Sequence, residues 1–428
     1  MKSLWIPLAL SGLVCWAPPA FSQKENPKIE PVFQLQLWSS YTMGQEVFND
    51  EDGKYEPVDD RFNVLLRRGR FGLRGRPFEF LHFTAIAAFD GVGKDPHSAM
   101  IGQSNNLSSP RIFLWDAFLQ WKILKNSEAL HLTGGYFRPQ LSRESITSGW
   151  AVNSMEKAMS QSYIRNHLVG YAHGRAAGLN LGGLLFSKAG KWGLGYNLGV
   201  FNPLYPVQAS NPTGKNFAPL LVGRATLWLG DPEQSAYGIS YQINHFGKRK
   251  GLSLSGGGAW QGETDKFTRS AALSADALLN WGPLNLDAEW NGMWRAGSRF
   301  VGSGGNEYLR YFTAFSQTWH ARAGYNIPFA KGYFLEPVFM VMHFSGAKDG
   351  LEQGDAFAAG TSYGTETTFD LGINWYLREN RLRVLLHYTW HNPSGYYDGF
   401  QGNAYYYEPE LGAIHRGNWL GLGLNAMF

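Results

Sequence analysis

Cysteine is almost absent from the chain, because Cys15 is the one cysteine among 428 residues. It lies in an N-terminal segment that we expect to be removed, so the mature protein would carry no thiol. This excludes a disulfide framework and thiolate metal sites, since an exported protein that uses disulfides has an even set of cysteines. Long hydrophobic runs are also missing: after residue 23 no stretch has the roughly 20 apolar residues of a membrane-spanning helix.

The N-terminus has the three parts of a secretory signal peptide. Met1-Lys2 is a short basic start, Leu4–Trp16 is mostly apolar, and Ala20–Gln23 has a small-x-small cleavage pattern. The apolar part is too short to span a membrane. The sequence therefore predicts a signal peptide at residues 1–22 and one mature domain at residues 23–428, with a buried N-terminal helix as the disfavoured alternative.

Catalytic and nucleotide-binding motifs are missing as well. We find no His-Glu-x-x-His, no Gly-x-Ser-x-Gly and no phosphate-binding loop. The basic stretch 248–250 is typical of a solvated turn rather than of a nucleic-acid site. We therefore expect no enzyme activity, no metal or other cofactor and no nucleic-acid partner. The histidines predicted to face the interior are scattered over separate strands and are expected to be hydrogen-bonding wall residues; they are His82, His131, His320 and His387.

Apolar and polar residues alternate with period two through most of the chain, which predicts strands with one apolar and one wet face. The segments that show this most clearly are Trp192–Val200, Tyr237–Ile243, Leu284–Trp294 and Phe369–Leu377. A soluble β-sandwich alternates too, but its apolar face is mainly Val, Ile and Leu. Here that face carries Trp, Tyr and Phe near the strand ends, and the other is rich in Gly, Ser, Asn and charges. An all-β transmembrane antiparallel barrel with aromatic girdles and a wet interior has this pattern.

Connections of two lengths join the predicted strands. The short ones are Lys125–Glu128, Ser187–Gly190, Gly247–Lys250, Gly282-Pro283 and Arg378–Asn380. The long ones are Thr42–Asp60, Gly91–Pro110, Pro139–His173, Asn202–Pro219, Ser345–Gly364 and His391–Gly417. Short periplasmic turns and long extracellular loops are typical of bacterial outer-membrane barrels.

The strand candidates number about 17, whereas a single-chain bacterial barrel has an even number. Assigning all short turns to the periplasmic side works when the strands are counted from either terminus. The assignment fails between Leu220 and Phe246. Merging two segments there into one long, bent strand gives 16 strands, and 18 is the alternative. The last segment alternates up to a terminal aromatic, Phe428, which we interpret as the signal read by the barrel assembly machinery.

The formal net charge of +4 is too small to decide selectivity. Placement is more informative, because four arginines of Phe62–Arg76 share one parity: Arg68, Arg70, Arg74 and Arg76. On the lipid face each would cost about 2–4 kcal/mol near the midplane, so we expect them in the lumen, while Arg67 has the opposite parity and is expected at an interface. The row could guide anions or could stiffen the wall through pairs with Asp90 and Asp116.

Other cations are also predicted to line the pore. On the strands they are Lys122, Arg224, Arg322, Arg381 and Arg383. A constriction is expected from the long loop Pro139–His173, since long loops often carry function; an extracellular cover is the alternative. Its candidate residues are Arg143, Lys157 and Arg165.

Several degenerate motifs, in this order, resemble the phosphate-selective porins O and P, especially the version common in Bacteroidota. They are RRGRFGLRG (Arg67–Gly75), WDAFLQW (Trp115–Trp121), GGYFRPQLSR (Gly134–Arg143), GVFNP (Gly199–Pro203), Ala275-Asp276-Ala277 with Glu289, and LGINWYL (Leu371–Leu377) with His387-Tyr388-Thr389. The resemblance covers essentially the whole mature chain. It implies a 16-stranded barrel, a homotrimer in the lipid of the outer membrane, and passive diffusion of small anions such as phosphate. The alternative is a non-conducting scaffold or adhesin barrel.

Overall fold

Sixteen antiparallel strands, each hydrogen-bonded to its neighbours in the chain, close into a barrel. The computed structural model describes residues 28–95, 97–100, 111–171, 173–188, 190–203, 215–330, 332–392, 407–408 and 412–428. The predicted signal peptide and its cleavage site lie outside these residues. The predicted fold class and the predicted number of 16 strands are confirmed, which excludes the 18-strand alternative.

The barrel strands are numbered here in chain order. They are β1 (Lys28–Met43), β2 (Arg61–Phe78), β3 (Leu81–Val92), β4 (Phe113–Lys122), β5 (His131–Phe137), β6 (Ala176–Phe186), β7 (Trp192–Asn202), β8 (Leu220–Gly230), β9 (Lys250–Gln261), β10 (Arg269–Trp281), β11 (Leu284–Val301), β12 (Tyr308–Tyr325), β13 (Tyr333–Ser345), β14 (Thr365–Arg378), β15 (Leu382–Asn392) and β16 (Asn418–Met427). A short strand, Ile327–Ala330, pairs with β13.

The barrel closes where β1 pairs with β16. The register runs from Gln34 opposite Met427 to Met43 opposite Asn418. At its end the backbone N–H of Phe428 donates to the carbonyl of Phe33 at 2.8 Å. We call this junction the seam. Because every barrel strand has two partners, no strand edge is left for lipid to meet.

The two faces of most strands follow the predicted alternation. In β16 the leucines Leu420, Leu422 and Leu424 are exposed on the outer face, while Trp419 and Asn425 are buried inside. An apolar outer band and a polar interior are the arrangement that lipid outside and water inside select.

A bulge in β2 breaks this alternation. Gln36 of β1 pairs with Arg68, and the next residue, Leu37, pairs with Leu66, so Arg67 is the extra residue. A bulge re-aims the side chains on either side of it. The predicted interface position of Arg67 is therefore wrong: its side chain enters the lumen and is 6% exposed.

The long predicted loops lie on one side of the barrel, where the connections 262–268 and 302–307 are short. The other side has short turns with one exception, and short turns mark the periplasmic side of outer-membrane barrels. Residues 231–249 join β8 to β9 and fold into the lumen instead of forming a strand and a short turn. The predicted strand Tyr237–Ile243, the predicted turn Gly247–Lys250 and the merged bent strand are therefore all wrong. The number of barrel strands is even because this stretch contributes no strand to the barrel.

Helices are few and short in the part of the chain that is described. They are α1 (Arg143–Ile146), α2 (Ser160–Val169) and α3 (Gly350–Ala358). None of these helices is long and apolar enough to cross a membrane. Four short strands in the loops at the opposite end from the short turns form a second small sheet: Glu46–Asn49, Lys54–Pro57, Tyr407–Glu408 and Gly412–His415.

Candidate pore interior

The loop at residues 138–175, between β5 and β6, folds into the barrel and is buried along most of its length. Ser142 caps the N-terminus of helix α1, because its Oγ accepts a hydrogen bond from the N–H of Ser145 at 3.2 Å. Helix α2 ends at Gly170, which has φ = 77° and adopts the left-handed conformation that glycine tolerates. We call this segment the inner loop. It matches the predicted loop Pro139–His173 with one or two residues added at each end.

Charged groups hold the inner loop against the far wall of the barrel, β10 to β15. Glu144 accepts a hydrogen bond from Arg322 of β12 at 2.7 Å. Arg143 donates to Asp276 of β10 at 2.7 Å. The Oγ of Ser142 donates to Glu289 of β11 at 2.7 Å. Such pairs replace the water that the wall groups lose when the loop covers them.

Further contacts carry the loop around the rest of the wall. Tyr163 donates to Glu366 of β14 at 2.7 Å, and Arg383 of β15 donates to the carbonyl of Val152 at 2.6 Å. Glu156 binds Arg67 and Arg68 of β2. Burial alone raises the pKa of Glu156, but the two guanidinium groups lower it by more, to about 2. The carboxylate is therefore ionised and anchors the loop to β2.

One cluster under the loop has a composition that metal ions use. Ligand atoms of Glu144, Asp287 and His320 lie within 4.8 Å of one another. However, the guanidinium of Arg322 donates to Glu144 at 2.7 Å and to Asp287 at 3.1 Å. The arginine thus supplies the positive charge that these carboxylates need, and we assign the cluster to packing of the loop.

A water-accessible cavity of about 780 Å³ remains between the inner loop and the wall formed by β1 to β5. Among the described residues, its charged lining has eleven Lys and Arg side chains and five Asp and Glu side chains. The cations are Lys28, Arg67, Arg68, Arg70, Arg74, Arg76, Lys122, Arg138, Lys157, Arg165 and Arg175, and the carboxylates are Glu30, Glu79, Asp90, Asp116 and Glu128. The arginine row predicted on β2 lines this cavity in full.

Within the row, Arg68 and Arg70 lie nearer the long-loop end of β2 and are called the upper arginines. Both are buried and paired. Arg68 donates to Gln36 at 2.8 Å and binds Glu156. Arg70 is 1% exposed and donates to Asp90 at 2.8 Å. The predicted pairing of the row with Asp90 is therefore present in the structure. Asp116 instead accepts from Arg175, at 2.8 Å.

Arg74 and Arg76 lie nearer the short-turn end of β2 and are called the lower arginines. Both are open to solvent. The Arg74 side chain is 51% exposed and lies 3.3 Å from Glu30. Arg76 is exposed near the short-turn end of β2, and Lys122 binds Glu128 in the cavity wall. These side chains line the cavity at its short-turn end.

Other predicted pore-lining residues have a different place. Arg224, Arg322 and Arg383 do point inward, as their parity predicts, but the inner loop covers them and they are at most 3% exposed. Arg143 is 1% exposed and also lies on the covered side. The prediction that they line the passage is therefore corrected. Arg381 lies in the turn 379–381 and is exposed, outside the strand where it was predicted.

The inner loop presents its remaining cations to the cavity. Lys157 donates to the backbone carbonyl of Thr147 at 2.7 Å, and Arg165 donates to the Oγ of Ser145 at 3.2 Å. Burial lowers the pKa of Arg165 to about 9, and Arg175 adds to that effect. Burial and the neighbouring guanidinium groups likewise hold the pKa of Lys157 well below its usual value. An anion nearby would offset this concentrated positive charge.

Two functional candidates escaped the sequence analysis because the predicted loop stopped short of them. Arg138 and Arg175 flank the loop, and Arg175 and Arg70 each lie 3.6 Å from the ring centroid of Trp115. Cation–π stacking of this kind helps to hold each guanidinium in place beside the carboxylate that it also binds, Asp90 for Arg70 and Asp116 for Arg175. The motif that resembles the porin family, GGYFRPQLSR, contained Arg138 and was the available signal.

Comparison with known proteins agrees with this geometry. A sequence model of the family described as phosphate-selective porin O and P matches residues 43–396. The chain belongs to this porin family. No curated protein matches it in sequence.

Solved outer-membrane porins share the fold of this porin at low sequence identity. The anion-selective porin from Comamonas acidovorans aligns with a TM-score of 0.53 and 12% identity, over 94% of this chain and 100% of that one. Pseudomonas putida OprB aligns with a TM-score of 0.54 and 10% identity, over 94% of each chain. Salmonella typhi OmpF aligns with a TM-score of 0.52 and 12% identity, over 94% of this chain and 98% of that one. The porin is thus an outer-membrane channel by family and fold.

Proposed function

We propose that this porin passes small anions, phosphate among them, by diffusion along the cavity between the inner loop and β1 to β5. The observation that supports this most is the charged lining, with eleven cations and five carboxylates. A passage with low-dielectric walls and an excess of one sign attracts ions of the opposite sign and raises their local concentration.

The pairing of individual arginines divides their roles. Arg68 and Arg70 are held by carboxylates, so they stiffen the wall and lend only part of their charge to the passage. Arg76 and Arg74 are exposed, whereas Lys157 and Arg165 are buried in the inner loop at the border of the cavity. In this proposal the last two form the positive constriction and the first two form a cationic entry on the short-turn side. Arg143 belongs to the support of the loop.

The test is planar-bilayer conductance of the refolded porin under a salt gradient. We expect reversal potentials on the anion side, which move toward zero when Arg68, Arg70, Arg74 and Arg76 are all replaced by Gln. The control is Arg381→Gln, which removes an exposed arginine outside the barrel strands. A cation preference of the wild type, or an unchanged preference in the fourfold variant, contradicts the proposal.

The rival hypothesis is a barrel that serves as a scaffold or adhesin and conducts nothing. It keeps the same strands and seam but predicts no ion steps in the bilayer. The cavity lined by exposed Arg74 and Arg76 favours the channel. Open steps in the wild type would exclude the scaffold as the sole function.

Assembly into a homotrimer, with lipid around it and insertion by the barrel assembly machinery, remains a prediction from family membership. It is checked by electrophoresis of unheated, detergent-extracted porin. We expect a band of about three times the monomer mass that collapses on boiling. A single monomer band at every detergent concentration would contradict it.

A further inference from the structure

The connection 231–249, here called the inner strap, is unusual for the short-turn side of a barrel. Outer-membrane barrels keep their periplasmic turns short, yet this one spans the distance from Gly230 to Lys250 by entering the lumen. Tyr237 is 7% exposed, and Ile243 and Asn244 are at most 1% exposed. A buried backbone without strand pairing needs other hydrogen-bond partners, and the strap has them.

One end of the strap is fixed to the wall at β4 to β7. The hydroxyl of Tyr237 donates to Asn197 at 2.6 Å and accepts from Asn180 at 2.9 Å. Its backbone N–H donates to Glu128 at 2.9 Å, and its carbonyl accepts from Gln120 at 3.1 Å. Both backbone groups and the side chain of one residue are thus held.

The other end is fixed to the far wall. Asn280 of β10 donates to the carbonyl of Ile243 at 2.9 Å. Asn244 donates to Asn326 at 2.8 Å and to Glu336 of β13 at 3.0 Å. The strap therefore crosses the lumen and closes its far half on the short-turn side.

The strap also binds the inner loop. The N–H of Ile243 donates to the carbonyl of Ala151 at 3.0 Å, and Glu233 accepts from Arg143 at 3.1 Å. Tyr241 and Thr147 form a parallel β-bridge. Loop and strap thus support each other as one body inside the barrel.

The free edge of the strap borders the cavity. Residues 236–240 line it together with Arg74 and Arg76. Gln120, which binds Tyr237, pairs across the sheet with His82, and the next residue, Phe83, pairs with Gly75. The edge therefore lies at the level of the lower arginines, at the end of the passage opposite the entry that long loops surround.

Gly238 is the centre of this edge. Nothing lies within 4 Å of the position that a Cβ would take there, and its φ is not in the left-handed region. Gln234 donates to the carbonyls of Gly238 and Ser240, at 3.2 and 2.9 Å, so the edge is held in shape by the strap itself. A side chain at position 238 would fit without a clash and would occupy the passage.

We propose that the inner strap is a second constriction of this porin, and that Gly238 sets its width and hence the size of solute that passes. This inference rests on passage of solutes through the described cavity. It does not depend on a particular charge preference. It can therefore be correct even if the anion selectivity proposed above is wrong.

The test compares Gly238→Phe with Gly256→Phe in planar bilayers and in liposome-swelling assays with solutes of increasing size. Gly256 is a matched control: it also has open space around its Cβ position, but it lies on the outer face of β9. We expect Gly238→Phe to lower single-channel conductance at least about two-fold and to lower the size limit, because current scales with the narrowest cross-section. Gly256→Phe should match the wild type.

A second pair separates charge from bulk. Gly238→Glu places a carboxylate opposite Arg74 and Arg76, and Gly238→Gln has the same size without charge. We expect both to reduce conductance and only the first to shift the reversal potential toward cations. Wild-type conductance and size limit in a folded Gly238→Phe porin, verified by its heat-modifiable gel mobility, would overturn the proposal. If the wild type shows no anion preference while the conductance still falls, the selectivity is wrong and the constriction holds.

Discussion

The bulge at Arg67 shows how one residue changes the charge arrangement of the pore. It brings two adjacent arginines, Arg67 and Arg68, to the same side of β2, where regular alternation allows only one. Both bind Glu156 of the inner loop. Removing one partner of a buried ion pair leaves an uncompensated charge, which costs far more than the pair contributes.

Glu156→Gln should therefore loosen the inner loop. We expect a loss of about 3 kcal/mol at pH 7, the magnitude for a buried pair that loses one partner. A carboxylate whose pKa is lowered on folding contributes stability above its ordinary pKa of 4.5. That contribution is lost as the pH falls through about 2. Thermal unfolding in detergent at pH 7 and pH 2 measures this, and the difference between wild type and variant should shrink at the lower pH; a constant difference would contradict it.

Lys157 should give the selectivity a dependence on pH. Burial, with Arg165 next, lowers the pKa of this lysine well below 10.5. It therefore loses its proton, and its attraction for anions, as the pH rises within a range that leaves exposed lysines charged. Reversal potentials measured from pH 6 to pH 10 should drift toward zero. Lys157→Arg is the control, since arginine keeps its charge, and its profile should be flatter.

Arg70 and Arg76 should separate stability from selectivity. Arg70→Gln leaves Asp90 buried without its cation, so we expect a lower melting temperature. Arg76→Gln removes an exposed charge and should reduce anion preference with an unchanged melting temperature. Circular dichroism and reversal potentials on the same preparations check both. Equal effects of the two changes on stability would contradict the division between wall and passage.

Among the elements, the inner strap marks the limit of pattern reasoning. Its alternation was interpreted as a barrel strand because Tyr237, Ile239, Tyr241 and Ile243 share a face. In the structure Tyr237 and Ile243 are buried against wall and loop, while Gly238 and Ser240 border the cavity. Any extended segment between an apolar and a wet surface has period two, so periodicity cannot distinguish lipid outside from a loop inside. Turn parity located the error without identifying it.

The inner loop accounts for what else could not be predicted. Strand parity correctly placed Arg224, Arg322 and Arg383 inside the barrel, because charge avoids lipid. Parity does not reveal what covers an inward side chain, and that depends on contacts such as Arg322 with Glu144, 178 residues apart. The strands, the arginine row and the loop were accessible from the sequence; the assignment of each cation to wall or passage was not.

Replacing residues 142–169 of the inner loop by a short Gly-Ser linker should widen the pore and weaken its selectivity together. The loop now covers carboxylates of the far wall, among them Asp276, Asp287, Glu289 and Glu366. The loop also covers Arg224, Arg322 and Arg383, so the expected loss of anion preference comes from the removal of Lys157 and Arg165 together with the exposure of these carboxylates. We expect higher conductance and a reversal potential nearer zero, measured in bilayers. Higher conductance with a stronger anion preference would contradict the role given to Lys157 and Arg165.

At the scale of the whole molecule, the position of Phe428 allows folding of the barrel to be tested separately from its insertion into the outer membrane. Its side chain is 79% exposed, and its ring centroid lies 6.2 Å from that of Phe33. Few contacts depend on it, so Phe428→Ser should leave refolding in detergent unchanged. If the terminal aromatic is the assembly signal, the same change should reduce the porin found in the outer membrane. Cell fractionation and heat-modifiable mobility check the two halves, and normal membrane levels would remove the assembly role.

The seam has a consequence for the order of events in biogenesis. It hydrogen-bonds strands whose residues, such as Gln34 and Met427, are 393 positions apart. Until both are present, β1 and β16 each offer a row of bare amides and carbonyls, which hydrocarbon penalises by several kcal/mol per group. A partly inserted sheet would therefore be unstable in the bilayer. We expect insertion to be cooperative, with the first and last strands pairing before their edges are exposed to hydrocarbon.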